Sequence, residues 1–377
     1  MHSPRKLIFV IGLALGISGS HGFAEDEPLP AGALVRLDAQ NRHAIIRIAY
    51  SPNGKLLALG DADSSIHIHD VITGKEIREL KTFTDMASAV AFSPNSQILA
   101  GGDYDNAIHL WEVGTWKELW KIDLRSKGVY SLAFSHDGQT LVSTDGDGTI
   151  QYWEVHSGKE VRKISFRKDF QRSIRIYSLA FSPEGQFFAT SSNDETIRIW
   201  EYATGNELLK INTTSIFNLA YSPNGRTLVS GGEDGIAHLW DVRTGKELCK
   251  FVGHTKSIMH VGFSPDGLTL TTSSEDQTIR LWEIGSGKEY RKIEEQGSML
   301  SFSLSPDGQR LATESYIWDL AAPISKQTPL TAEELEQAWS AMSGPDAAPA
   351  YLARWNLVRT PDQTLPTSEA KTRRFSA

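Results

Sequence analysis

The chain of 377 residues has a single cysteine, Cys249. One cysteine cannot close an internal disulfide and cannot form a Cys-x-x-Cys metal or redox pair, so a buried free thiol is expected. Basic charge is not in excess. Lys and Arg total 38 against 46 Asp and Glu, a formal charge of −8. That balance excludes a general nucleic-acid or anionic-membrane binder. The apolar stretch Leu7 to Ile17 has eleven residues, short of the roughly 20 that span a bilayer. Catalytic signatures are missing too. There is no G-x-S-x-G, no H-E-x-x-H and no phosphate-cradling Gly-Lys-Ser loop. The expectation is a non-enzyme with no metal and no cofactor.

What the chain has instead is repetition. A Ser-Pro or Ser-His step recurs at Ser51, Ser93, Ser135, Ser182, Ser222, Ser264 and Ser305, at intervals of 42, 42, 47, 40, 42 and 41 residues. A fixed period near forty marks a repeat architecture. Each copy holds four short runs rich in Ile, Leu, Val, Thr, Phe and Trp, bounded by Pro-Asp-Gly, an acidic turn and Thr-Gly-Lys-Glu or their variants. These are the signals of strands joined by hairpins. Four antiparallel strands per forty residues make one propeller blade. The period overrides the two domains that length alone suggests.

In six copies the third strand ends Trp-Glu or Trp-Asp, at Trp111, Trp153, Trp200, Trp240, Trp282 and Trp318; His69-Asp70 takes that place in the first. These residues resemble the WD-repeat family over residues 33–320. The resemblance implies an all-β, seven-bladed beta-propeller. It also implies that His254, Thr272, Asp276 and Trp282 form a hydrogen-bonded tetrad in blade 6, which alone carries the preceding Gly-His pair. In the seventh copy Thr313 and Trp318 are five residues apart, against ten from Thr272 to Trp282. Its second hairpin is clipped and is expected to leave a notch.

Fourth strands such as Glu118 to Ile122, Glu207 to Ile211 and Glu247 to Phe251 follow Glu, two residues, Lys or Arg, then an apolar residue; the seventh copy has none. "ALVRL" at Ala33 to Leu37 fits the last two slots of that template, so an N-terminal strand is expected to close the ring. Ahead of it, residues 1–24 read as a signal peptide, with Arg5 and Lys6, the apolar stretch, and Gly22 to Ala24 suited to cleavage. The alternative is a retained anchor. Its removal takes the charge from −8 to −10, and no stable membrane insertion is expected afterwards. Beyond the propeller, Thr331 to Glu334 has capping-box spacing. Leu335, Ala338, Trp339 and Met342 then share a helical face, as do Tyr351, Leu352, Trp355 and Val358. A helical hairpin over 331–358 and a disordered tail over 359–377 are expected.

The candidate contact surface starts five residues before each repeat serine, at Ile46, Ser88, Tyr130, Tyr177, Phe217, Met259 and Leu300. By resemblance, this position lies at the top mouth of the central channel. Six of the seven are large and apolar, which points to a contact patch or, more plainly, to core between blades. Arg47, Asn218 and His260 lie next inward. The 47-residue step holds a basic insertion with Arg162, Lys163, Arg167, Lys168, Arg172 and Arg175, interleaved by Phe166 and Phe170. It reads as a solvated loop or as a site for an acidic partner. The Asp-x-Asp pairs beginning at Asp61, Asp103 and Asp145 lack the further ligands of a calcium loop, and His67 aligns with His109 and His238 as a repeat position. The functional expectation is an exported, non-catalytic scaffold binding other proteins of the cell envelope. Its alternative is a propeller that binds a glycan or small ligand, or a cryptic hydrolase, at the channel mouth.

Overall fold

The computed structural model describes residues 28–320, apart from 39–43, 82, 125–127, 167–173, 215, 296 and 298–299. The expected signal peptide, helical hairpin and tail fall outside the described residues. Within them the chain makes seven four-stranded antiparallel sheets and no helix. Six sheets use consecutive strands. Blade 1 runs from Ile45 to Lys81, blade 2 from Ala87 to Asp123 and blade 3 from Val129 to Ser165. Blades 4, 5 and 6 span Ile176 to Asn212, Ile216 to Val252 and Ile258 to Glu294. The seventh sheet combines Ser303–Leu304, Arg310–Ala312 and Tyr316–Asp319 with Ala33–Arg36 from the other end of the chain. Ala33 pairs with Trp318 and Arg36 with Tyr316, and Leu37 N donates to Ser315 O at 2.9 Å.

The repeat serine sets the first turn of each blade. In blade 6 the Ser264 hydroxyl donates to Asp266 at 2.5 Å and accepts the Thr269 N–H at 2.9 Å. Ser51, Ser93, Ser135, Ser222 and Ser305 repeat the arrangement with Asn or Asp two residues on. The turn needs a left-handed residue, which is Gly267 at φ 69° here and Ser96 at φ 60° in blade 2. Such a conformation is easy for glycine and uncommon for other residues.

No blade owns a core. Each of seven apolar clusters lies between one blade and the next, such as Ala58, Ile66 and Ile68 of blade 1 against Ala87, Leu99 and Trp111 of blade 2. The cluster between blades 7 and 1 holds Leu37, Ile45, Leu57 and Ile317. A blade therefore loses half its apolar contacts if a neighbour is removed, as in other stacked repeats.

Cys249 departs from expectation. It is half-buried on an outermost strand, its Sγ facing the Gly287 turn, and not enclosed in core. Burial still pushes its thiol pKa up, so the thiolate is disfavoured.

Candidate functional site

From blade 1 to blade 6 the first strand packs against the first strand of the next blade, and that of blade 7 against that of blade 1, around the axis. In blades 1 to 6 this strand breaks register at its start, so that one residue is bulged out between two paired ones. The bulged residues are Ile46, Ser88, Tyr130, Tyr177, Phe217 and Met259. A bulge re-aims a side chain, and these turn toward one another. Ile46, Tyr130, Tyr177, Phe217, Met259 and Leu300 form a single apolar cluster, drawn from six blades. Blade 2 has Ser88 there, but Met86 and Tyr104 join the cluster from its loops. Ring centroids lie 5.3 Å apart for Tyr104 and Tyr130, 5.7 Å for Tyr130 and Tyr177, and 6.0 Å for Tyr177 and Phe217.

This ring belongs to none of the inter-blade cores. Nor is it an open patch. Its six members are each 2–7% exposed, so they plug the mouth of the channel. Beneath the plug, Asn218 accepts the Val261 N–H at 3.1 Å. Arg47 and His260 sit deep, yet both keep some accessible surface, which places them on the channel wall. Burial first, and then the Arg47 charge, push His260 down to about 3. It is a neutral imidazole, set edge-on to Phe302 at 4.7 Å.

The other predicted residues fall into structural roles. His254 Nδ1 donates to Asp276 at 3.0 Å, and His254 Nε2 meets Thr272 Oγ1 at 2.7 Å, which also accepts from Trp282 Nε1 at 2.9 Å. Burial works against the Asp276 charge. Hydrogen bonds from Thr278, the Thr255 N–H and His254 outweigh it and hold the carboxyl at about 2. Blades 3, 4, 5 and 7 keep half of this chain. Trp153, Trp200, Trp240 and Trp318 donate to Ser143, Thr190, Ser230 and Thr313. The first aspartate of each Asp-x-Asp pair caps its own turn: Asp61 accepts from Asp63 and Ser65, Asp145 from Asp147 and Thr149, and Asp103 from Ala107. Among the described residues no group of three or more His, Cys, Asp or Glu is placed to hold a metal ion.

Two features escaped sequence reading. In blades 1 to 6 the glutamate opening the fourth strand pairs with the third strand beside it: His67 with Glu76, His109 with Glu118, Gln151 with Glu160, Arg198 with Glu207, His238 with Glu247 and Arg280 with Glu289. The recurring Gly-Lys-Glu was the available signal. At the clipped turn of blade 7, Glu295 accepts the Ser315 N–H at 2.9 Å. The notch expected there is occupied by this buried carboxyl.

The basic insertion is less free than it reads. Arg162 donates to Tyr202 O and Ala203 O at 2.7 Å and lies over the Tyr152 ring. Phe166 packs on Trp200, with Arg198 over its other side. Arg167, Lys168, Phe170 and Arg172 lie outside the described residues.

The family "WD domain, G-beta repeat" matches residues 158–201, 206–241 and 245–283. The WD40 domain of anaphase-promoting complex subunit 4 matches 33–93 and 90–174. Together the matches cover more than half of the chain. The chain belongs to the WD-repeat family. A comparison with curated proteins found no match. As a WD-repeat propeller, the molecule has its Trp and Ser/Thr ladder in blades 3 to 7.

Proposed function

We propose that this WD-repeat propeller is a non-catalytic protein-interaction scaffold, exported from the cytoplasm after loss of residues 1–24, that binds other proteins of the cell envelope. The observation that carries the reading is the apolar plug. It fills the mouth where a glycan, small ligand or hydrolase substrate would enter, and it makes a rigid floor for a broad top face. WD-repeat propellers commonly bind other proteins, and a stable interface needs roughly 800 Å² per partner, which calls for a broad face and not a plugged mouth. In this reading Ile46, Tyr130, Tyr177, Phe217, Met259 and Leu300 hold the floor, and Arg167 and Arg172 contribute contacts to the partner. The strand Ala33–Arg36 closes the ring that carries the face, and the 331–358 hairpin caps or extends it.

The test uses the full chain as bait in envelope extracts, beside Arg167→Glu/Arg172→Glu and a rim control, Ile77→Glu/Leu119→Glu, which changes exposed outer-strand residues. A protein held by wild type and the rim control and lost by the arginine variant is expected. A partner lost only by the rim control contradicts the top-face assignment. Mass spectrometry of the exported protein should find Glu25 at its N-terminus; an intact Met1 in a membrane fraction contradicts release.

A further inference from the structure

We propose that the axial channel holds a small free oxyanion, a carboxylate or phosphate, between Arg47 of blade 1 and His260 of blade 6. The inference goes beyond the scaffold reading and does not depend on it. It starts from a belt of hydrogen bonds four residues before the repeat serines. Ser131 accepts the Leu179 N–H, Ser178 the Leu219 N–H, Asn218 the Val261 N–H and Ser301 the Ile48 N–H, each a bond from one inner strand to the next blade, at 3.1–3.3 Å. These side chains stitch the inner strands together. Arg47 and His260 occupy the same position in their blades and break the pattern. An arginine has no acceptor atom to offer. His260 Nδ1 is buried with no hydrogen-bond partner.

Arg47 is stranded more severely. Among the described residues its guanidinium makes one hydrogen bond, from Nη1 to the Ile46 carbonyl at 3.0 Å. No carboxylate pairs with it among the described residues. Arginine does not shed its proton, and a deep charge without a counter-charge is strongly unfavourable. The charge balance therefore calls for an anion that the described residues do not supply. The donors suit one. The guanidinium fork matches the paired oxygens of a carboxylate or phosphate, and a neutral imidazole with its Nδ1 uncommitted supplies a further hydrogen bond. The Tyr104 phenol stands in the Arg47 field. Burial raises its pKa, so it stays a donor. The plug above bars an inserted protein side chain at this end, which favours a small free ion.

The full chain would be melted in increasing inorganic phosphate or acetate, against sodium chloride of equal ionic strength, and titrated with phosphate by calorimetry. The expected result is a saturable rise in Tm of about 2 °C at ten times Kd. Arg47→Met should abolish the rise. His260→Phe, which leaves the guanidinium in place, should weaken binding about tenfold, the loss of one good hydrogen bond. The proposal is overturned if phosphate and acetate do no more than chloride, or if both folded variants keep the full shift.

Discussion

Glu295 is the residue whose chemistry departs furthest from its ordinary state. Burial raises its carboxyl to about 7, against the hydrogen bonds from Thr313 and Ser315 and with the help of nearby Glu314. Only one of its oxygens finds a partner. Between the ordinary glutamate value near 4.5 and about 7, the folded chain holds a proton that the unfolded chain has released. Stability must then fall as pH rises through that window. Urea unfolding at pH 5 and pH 8 should show a loss of about 1–3 kcal/mol at the higher pH from this group. Glu295→Gln keeps an acceptor for the Ser315 N–H and should remove that loss; an unchanged pH dependence contradicts the assignment. Sequence could not have found this residue, because it lies off the repeat template in a linker. The plug residues were picked out as a contact patch or as core between blades, but their meeting in one cluster around the axis was not. An apolar side chain at a strand start reads the same whether it faces a partner or the axis, and the bulge that turns it inward leaves no mark in composition. Tyr177→Ala is accordingly expected to destabilise the fold by about 3–5 kcal/mol, as for other large core truncations, with the melting curve as its measure.

At the scale of one blade, the repeat was legible because its chemistry is local. Ser-Pro-Asp-Gly sets a turn, the Trp finds its Ser or Thr across the neighbouring strand, and Glu finds the third strand. Blade 6 holds the complete chain of bonds, and Thr272 is its junction, since its hydroxyl meets both His254 and Trp282. Thr272→Val should cost about 2–3 kcal/mol by leaving two buried partners unsatisfied. Blade 2 has solved the same space differently. Gly101 stands in the Thr272 position, and Phe83 packs at 5.9 Å from Trp111 and 5.0 Å from His109. A Cβ at Gly101 would come within 2.6 Å of Ile66 Cδ1 and 2.8 Å of Phe83 Cζ. Restoring the family residue with Gly101→Ser is therefore predicted to destabilise blade 2, by about 1–3 kcal/mol. A melting temperature at or above wild type would contradict that packing argument.

For the whole molecule, the absence of disulfides and the lack of any self-contained blade core leave one source of stability, the contact of each blade with two neighbours. Blade 7 is the weak member. Its own strands are two, three and four residues long, and its fourth strand comes from residues 33–36. Leu37, fully buried between blades 7 and 1, and the bonds from Ile48 and Tyr50 N–H to Ser301 and Ser303 join the two ends of the chain. The proposed platform rests on that junction. The most direct test compares thermal unfolding of a chain lacking residues 1–27 with one lacking residues 1–40. The first is expected to keep a single cooperative transition. The second should lose it, aggregate, or melt at least about 10 °C lower, with part of the loss restored by a synthetic peptide of residues 28–38. Two chains melting within about 2 °C of each other would show that the ring does not depend on its N-terminal strand, and would contradict the account.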